Sequence, residues 1–270
     1  VGYFVRTNDQ VNLFVEDTGE GKPIILIHGW PLNNKMFEYQ VTALTEQGYR
    51  CIVPDLRGFG RSGKPASSYD YSHMADDIDA IVRFSNVDEF HLAGFSMGGA
   101  IAIRYATRYR ESGLQNLFLL GAAAPSFTQR EDYPYGMTKE DVNGLIESTY
   151  DDRPAALAGF GENMFATEVS EPFNEWFFQL GLEASGHGTI RTAESLRDED
   201  LRAELTDIQA KTYILHGKKD EICPFTFAQI LNDEIQASEL IPFEESGHGL
   251  FYDQQEDFNQ TLLQLLNADV

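Results

Sequence analysis

The sequence is short of cationic side chains. Against 43 Asp and Glu it has 20 Lys and Arg, a formal net charge of −23. Such a surface repels phosphate backbones, which argues against a nucleic-acid partner. Cysteine is nearly absent, with Cys51 and Cys223 the only two in 270 residues. Two thiols make no disulfide framework, so a reducing compartment is expected. No apolar run approaches the length of a membrane span. Residues 1–6 lack the basic start, apolar stretch and small-residue cleavage site of a secretory leader. A cytoplasmic protein without a membrane partner is therefore expected. No H-E-x-x-H, paired-cysteine or EF-hand spacing points to a metal. No internal repeat is present either. What these absences leave is a globular chain, 42% hydrophobic and 12% aromatic, large enough to bury a sizeable core.

What is present is an alternation of strand and helix. Residues 3–6 and 11–16 read as a hairpin around a polar turn. The run at 24–27 is continuous and apolar, and those at 51–53, 90–93, 117–120 and 212–215 are short and read as buried in the same style, as expected of parallel strands covered on both faces. Residues 239–243 read as a last strand. Helical spacing lies between them: Met36, Phe37, Val41 and Leu44, capped by Asn34 and stopped by Gly48; then Met74, Ile78, Ile81 and Val82, begun by Asp70 or Ser72. Residues 100–106, 225–231 and 258–266 are also helical in pattern. From 125 to about 206 the style changes to helical segments rich in Phe, Met and Trp, broken by Gly and Pro. The reading is an α/β class fold with a mostly parallel central sheet flanked by helices. Residues 1–124 and 206–270 form its core. A helical lid, 125–205, is inserted after the strand ending near Leu120.

The chemistry centres on Gly94-Phe95-Ser96-Met97-Gly98, which fits G-x-S-x-G between a strand and a helix. A strand that turns at once into a helix bends sharply, and small neighbours relieve the crowding. Ser96 is expected at the carboxyl edge of the sheet, above a helix amino end whose free N–H groups suit an oxyanion. A serine nucleophile needs a base, an orienting acid and an oxyanion hole. Ligands in open α/β sheets gather where strands end. Asp220 follows one strand and His248, between two glycines, follows the last, which gives the order Ser, Asp, His. Asp220 would hold the His248 tautomer, and His248 would take the Ser96 proton. Glu245 is near His248 in sequence, but that nearness does not aim it at the ring. The oxyanion donors are expected to be the N–H groups of Met97 and Trp30, since Pro31 has none.

The other histidines read differently. His28 and His216 each precede a glycine just after a strand, and read as bonded to neighbouring backbone. His73 and His91 read as surface or packing residues, and His187 falls in the lid. Gly58 to Gly63 matches G-x-G-x-x-G, but Lys64-Pro65 follow where a dinucleotide site needs a helix.

Five ordered runs, GKPIILIHGWP, YRCIVPDLRGFGRSGKP, HLAGFSMGGAIAIRYA, ILHGKKDEICP and ESGHGLF, resemble the α/β-hydrolase family over almost the whole chain apart from the lid. Within that family the chain is similar to the branch of aryl esterases and cofactor-free haloperoxidases, or perhydrolases. The likeness lies in the Trp-containing loop, GFS-x-GG and HG-x-x-D-x-x-x-P. The resemblance implies an α/β-hydrolase fold, a triad of Ser96, Asp220 and His248, no cofactor and a small-molecule ester or acyl substrate handled through an acyl-enzyme. It associates Trp30-Pro31 with peracid formation from a carboxylic acid and peroxide. Met97 departs from the haloperoxidase pattern, where several members have Thr. Haloalkane dehalogenases and epoxide hydrolases place Asp at the elbow, where this chain has Ser96. Lactonases and carbon–carbon bond hydrolases share the triad and stay open, as does a low-turnover binding or receptor-like protein. Phe95, Phe127, Phe160, Met164, Ile222 and Leu250 are the expected pocket walls between elbow and lid. Apolar walls favour small acyl or aromatic esters over charged ones. A homo-oligomer is left open.

Overall fold

A computed structural model describes residues 1–110 and 112–268. The chain opens with a hairpin of β1 (Gly2–Arg6) and β2 (Asn12–Thr18), in which Phe4 faces Phe14 across the antiparallel pair. Its turn closes through Gln10 N–H to Thr7 O at 3.0 Å, with Gln10 at φ 70°. β2 pairs antiparallel with β4 (Tyr49–Pro54). The rest of the sheet is parallel: β3 (Lys22–Ile27), β5 (Phe90–Phe95), β6 (Leu114–Leu120), β7 (Lys211–Gly217) and β8 (Ser238–Phe243). The strand order is β1-β2-β4-β3-β5-β6-β7-β8. Ile24, Ile25, Leu26 and Ile27 are fully buried, as a strand covered on both faces requires.

Helices α1 (Glu38–Glu46), α2 (Tyr71–Ser85) and α3 (Met97–Arg108) separate the early strands. Asp70 caps α2, its side chain accepting from the N–H groups of Ser72 and His73. The start of α1 differs from expectation. Asn33, not Asn34, is the capping residue, and it caps a 3-10 turn, Asn34–Phe37, that leads into the helix. The Asn34 side chain is engaged elsewhere: its Nδ2 donates to Glu16 Oε2 at 3.4 Å.

Between β6 and β7 lie α4 (Lys139–Gly161), α5 (Glu171–Leu182) and α6 (Gly186–Asp198). α4 breaks at Asp152 (φ −149°, ψ 84°). Asp152 restarts it, its side chain accepting from Ala155 N–H, and Pro154 sits in the new first turn where no N–H is needed. These helices are tied to loops leaving the carboxyl ends of the strands. The Trp30 indole N–H donates to Thr189 O, Ser185 N–H to Gly58 O and Gly249 N–H to Met164 O. The chain ends with α7 (Phe225–Glu234), the short α8 (Leu250–Asp253) and α9 (Gln255–Asn267). Among the described residues, no helix is long and apolar enough to cross a membrane.

Candidate active site

Ser96 stands at the β5–α3 junction with φ 53° and ψ −118°. That backbone is costly for a residue with a side chain, on the order of 1–3 kcal/mol. It is held from both sides: Ser96 N–H donates to Leu120 O at 3.0 Å, and Ser96 O accepts from Gly99 and Ala123 N–H at 2.9 Å. The turn is possible because Gly98 is bare; a Cβ there would lie 2.4 Å from Ile27 O. Gly29 plays the same part opposite, where a Cβ would come within 2.9 Å of Ser96 Cβ. The loop after β3 therefore lies directly against the elbow. Met97 N–H, at the first position of α3, has no intrahelical acceptor. Trp30 N–H makes no hydrogen bond among the described residues. The Trp30 ring is fixed by Thr189 O and by the edge-on ring of Phe160, 4.7 Å away.

Asp220 lies in the loop after β7. Its Oδ1 accepts from the N–H groups of Ile222 (2.9 Å) and Cys223 (2.8 Å), which aims Oδ2 at His248. Oδ2 accepts from His248 Nδ1 at 2.8 Å, with both side chains shut off from solvent. Nδ1 thus carries the proton and Nε2 presents a lone pair. Burial alone would raise the Asp220 carboxyl. The His248 charge and the hydrogen bonds from His216 and His248 outweigh it and hold the group below the usual carboxylate range. Phe95 packs on the His248 ring at 4.7 Å. Burial and the Asp220 charge push the buried Cys223 thiol up, so it stays protonated. Glu245 is spoken for by Lys219.

The loop carrying His248 is fastened to the segment after α4. Asp253 Oδ2 accepts from Gly247 N–H at 2.8 Å and Ala166 N–H at 3.0 Å, and Oδ1 from Thr167 N–H at 2.9 Å.

His28 bonds backbone on both sides, Nδ1 to Gly29 O and Nε2 from Leu56 N–H, both at 3.0 Å. His216 bonds Cys223 O at 2.8 Å, but it also lies 3.3 Å from Asp220 Oδ2. That second contact was missed in the sequence; the available signal was its four-residue spacing from Asp220. His73 pairs with Asp70 at the surface, His91 packs edge-on against Phe118 and His187 is exposed. No helix follows Gly63 until Tyr71. Among the described residues no cluster of three or more His, Cys, Asp or Glu is placed to hold a metal.

A cavity of about 270 Å³ lies between the loop after β3 and α4–α5, with Pro31, Leu32, Leu157, Phe160, Met164 and Phe177 on its apolar walls. Glu162, Asn174 and Glu175 supply its polar lining. Of the six residues expected as walls, Phe160 and Met164 line it. Phe95, Phe127, Ile222 and Leu250 do not; all four are buried, Phe95 between the rings of His248 and Phe251. Nearness in sequence to Ser96, Asp220 or His248 places a backbone but does not aim a side chain. Pro31, Leu32, Leu157 and Phe177 had only their apolar character to mark them.

Residues 22–255 match the family described as alpha/beta hydrolase fold. Over 268 residues the chain is 51% identical to the AB hydrolase superfamily protein YisY of Bacillus subtilis, covering 99% of this chain and 100% of that protein. It superposes on an esterase from Exiguobacterium antarcticum with a TM-score of 0.98 at 50% identity, covering 99% and 100% of the two chains. A bromoperoxidase from Bacillus anthracis superposes with a TM-score of 0.94 at 32% identity, covering 98% and 99%.

Proposed function

Because the chain belongs to the α/β-hydrolase family, we propose that it is a serine esterase of small neutral acyl or aryl esters, with Ser96 as nucleophile, His248 as base and Asp220 as orienting acid. The observation that carries this reading is the buried 2.8 Å pair of Asp220 and His248, on loops after β7 and β8, beside a strained serine after β5. In this reading the Ser96 hydroxyl hands its proton to His248 Nε2, a contact of the kind that substrate binding tightens. Its oxygen attacks the ester carbonyl while Nε2 takes the proton. The oxyanion is held by the N–H groups of Met97 and Trp30. His248 returns the proton to the departing alcohol, leaving an acyl-serine. Water, deprotonated by the same nitrogen, then releases the acid and restores Ser96.

The mostly apolar lining of the cavity, which meets the Trp30-Pro31 loop through Pro31, would suit an uncharged acyl or aryl group. In this reading residues 125–205 act as a lid on a core of 1–124 and 206–270. The two free, buried cysteines suit a reducing compartment, and we place the protein in the cytoplasm. Hydrolysis of nitrophenyl acetate, lost by about four to six orders of magnitude in Ser96→Ala, tests the assignment. Faster turnover of an enol-lactone or a vinylogous diketone than of any nitrophenyl ester would move it to a lactonase or carbon–carbon hydrolase. Covalent labelling of Ser96 by a fluorophosphonate with no turnover would make it a binding protein.

Perhydrolysis is a second reading, favoured by Trp30-Pro31 in the loop against the elbow and by the likeness to a bromoperoxidase. Hydrogen peroxide would replace water on the acyl-serine, giving a peracid and free Ser96. Peracid from acetate and peroxide above a Ser96→Ala control is the expected result.

A further inference from the structure

Two histidine rings approach one carboxylate oxygen. His216, at the end of β7, is fully buried, with Nε2 2.8 Å from Cys223 O and 3.3 Å from Asp220 Oδ2. Both neighbours are acceptors, so Nε2 carries a proton whatever the charge of the ring. On its other side Oδ2 meets His248 Nδ1 at 2.8 Å, while Oδ1 is taken by the N–H groups of Ile222 and Cys223. His216 Nδ1 has no hydrogen-bond partner among the described residues. Every polar attachment of this ring therefore runs to the Asp220 loop. An edge contact with Phe225, 5.9 Å between centroids, steadies it from α7.

We infer, resting on the triad reading, that His216 is a positioning residue whose Nε2–H draws negative charge on Asp220 away from His248 and so weakens the hold of the base on its proton. A donor on a carboxylate stabilises the anion and lessens its pull on a neighbouring imidazolium. The groups around the pair are few. Asp220 and the Cys223 thiol face it from the β7–α7 loop, His216 from β7, and Ser96 and Phe95 from the elbow. Asp253 of α8 holds Gly247 N–H beside it, and Lys219 and Glu245 pair at the exposed ends of the two loops.

The test compares wild type, His216→Phe and His216→Gln by the pH profile of kcat/KM on nitrophenyl acetate and by NMR titration of the His248 ring. Losing the donor should move the acid limb up by about one pH unit, a loss about tenfold greater at pH 6 than at pH 9. Gln, which puts an N–H where Nε2 stood, should return the limb to its wild-type position. Equal losses at every pH in His216→Phe, or a Gln variant that titrates like the Phe variant, would overturn the inference. If His216→Phe fails to fold, His216→Asn, too short to reach Oδ2, replaces it. If wild type hydrolyses no ester, the triad reading falls. The ring titration then still decides this point, supported by an upward shift in Phe but not Gln and overturned by coincident curves.

Discussion

At position 28 the imidazole joins the loop after β3 to the loop after β4 through one donated and one accepted hydrogen bond. A proton on Nε2 would destroy the bond from Leu56, and burial already pulls the ring down to about 4. In the unfolded chain the same ring titrates near its ordinary value of about 6.5. Between those values the unfolded state binds more protons, so this contribution is complete above about 6.5 and is withdrawn as the pH falls toward 4. Asp55, raised by burial to about 6 against the pull of the Arg61 and Asn34 N–H groups, acts in the opposite sense over the same interval. The informative quantity is therefore a difference between two proteins. Urea unfolding should show wild type losing about 2 kcal/mol more than His28→Asn between pH 7 and pH 5. Equal pH dependence in the two would contradict a neutral buried ring. Residues of this kind were partly legible. A histidine before a glycine at a strand end announces backbone bonding, and His28 does that. His216 has the same local signature, but its contact with Asp220 depends on how the loop closes in space. The orientation of the apolar side chains is set in space too: Phe95 turns into the core, while Phe160 faces the cavity between the loop after β3 and α4–α5.

Among the elements, the loop after β4 is locked by a buried charge as well as by the apolar side chains of Leu56 and Phe59. The Arg57 guanidinium is 2% exposed and reaches Asp77 on α2 at 2.6 Å and Asp9 in the hairpin turn at 2.9 Å. Asp77→Ala would leave that cation buried with its main partner gone, and should cost about 3–5 kcal/mol in denaturant unfolding. The double variant Arg57→Met with Asp77→Leu should recover most of the loss, because two apolar groups need no partner. A single variant as stable as wild type would show that water reaches the guanidinium. The strands here were legible because a buried parallel strand is a continuous apolar run. The start of α1 was not, because the Asn34 side chain turns to Glu16, distant in sequence. The break in α4 escaped too, although Asp152 followed two residues later by Pro154 is a restart signal.

At the scale of the whole molecule, the net charge of −23 meets Glu162 and Glu175 in the lining of the cavity. An anionic ester approaches against that field, and added salt screens it. A nitrophenyl half-ester of a dicarboxylic acid should gain severalfold in kcat/KM between about 10 and 300 mM salt, while the neutral ester of equal length stays level. Identical salt responses would remove charge from the account of selectivity. The parallel α/β sheet was readable because strand and helix patterns alternate over most of the length. The route by which 139–198 attach was not, since it rests on bonds such as Trp30 to Thr189. One such attachment has a mechanical result. Asp253 grips Gly247, Ala166 and Thr167 together, and Met164 is bonded to Gly249. The segment 164–167 and the loop carrying the imidazole are thus buttoned to a common post. If 125–205 is the lid and His248 the base, as proposed above, lifting 164–167 to admit a bulky guest would undo those buttons or tug the ring off its carboxylate, so a gaping molecule would also be a disarmed one.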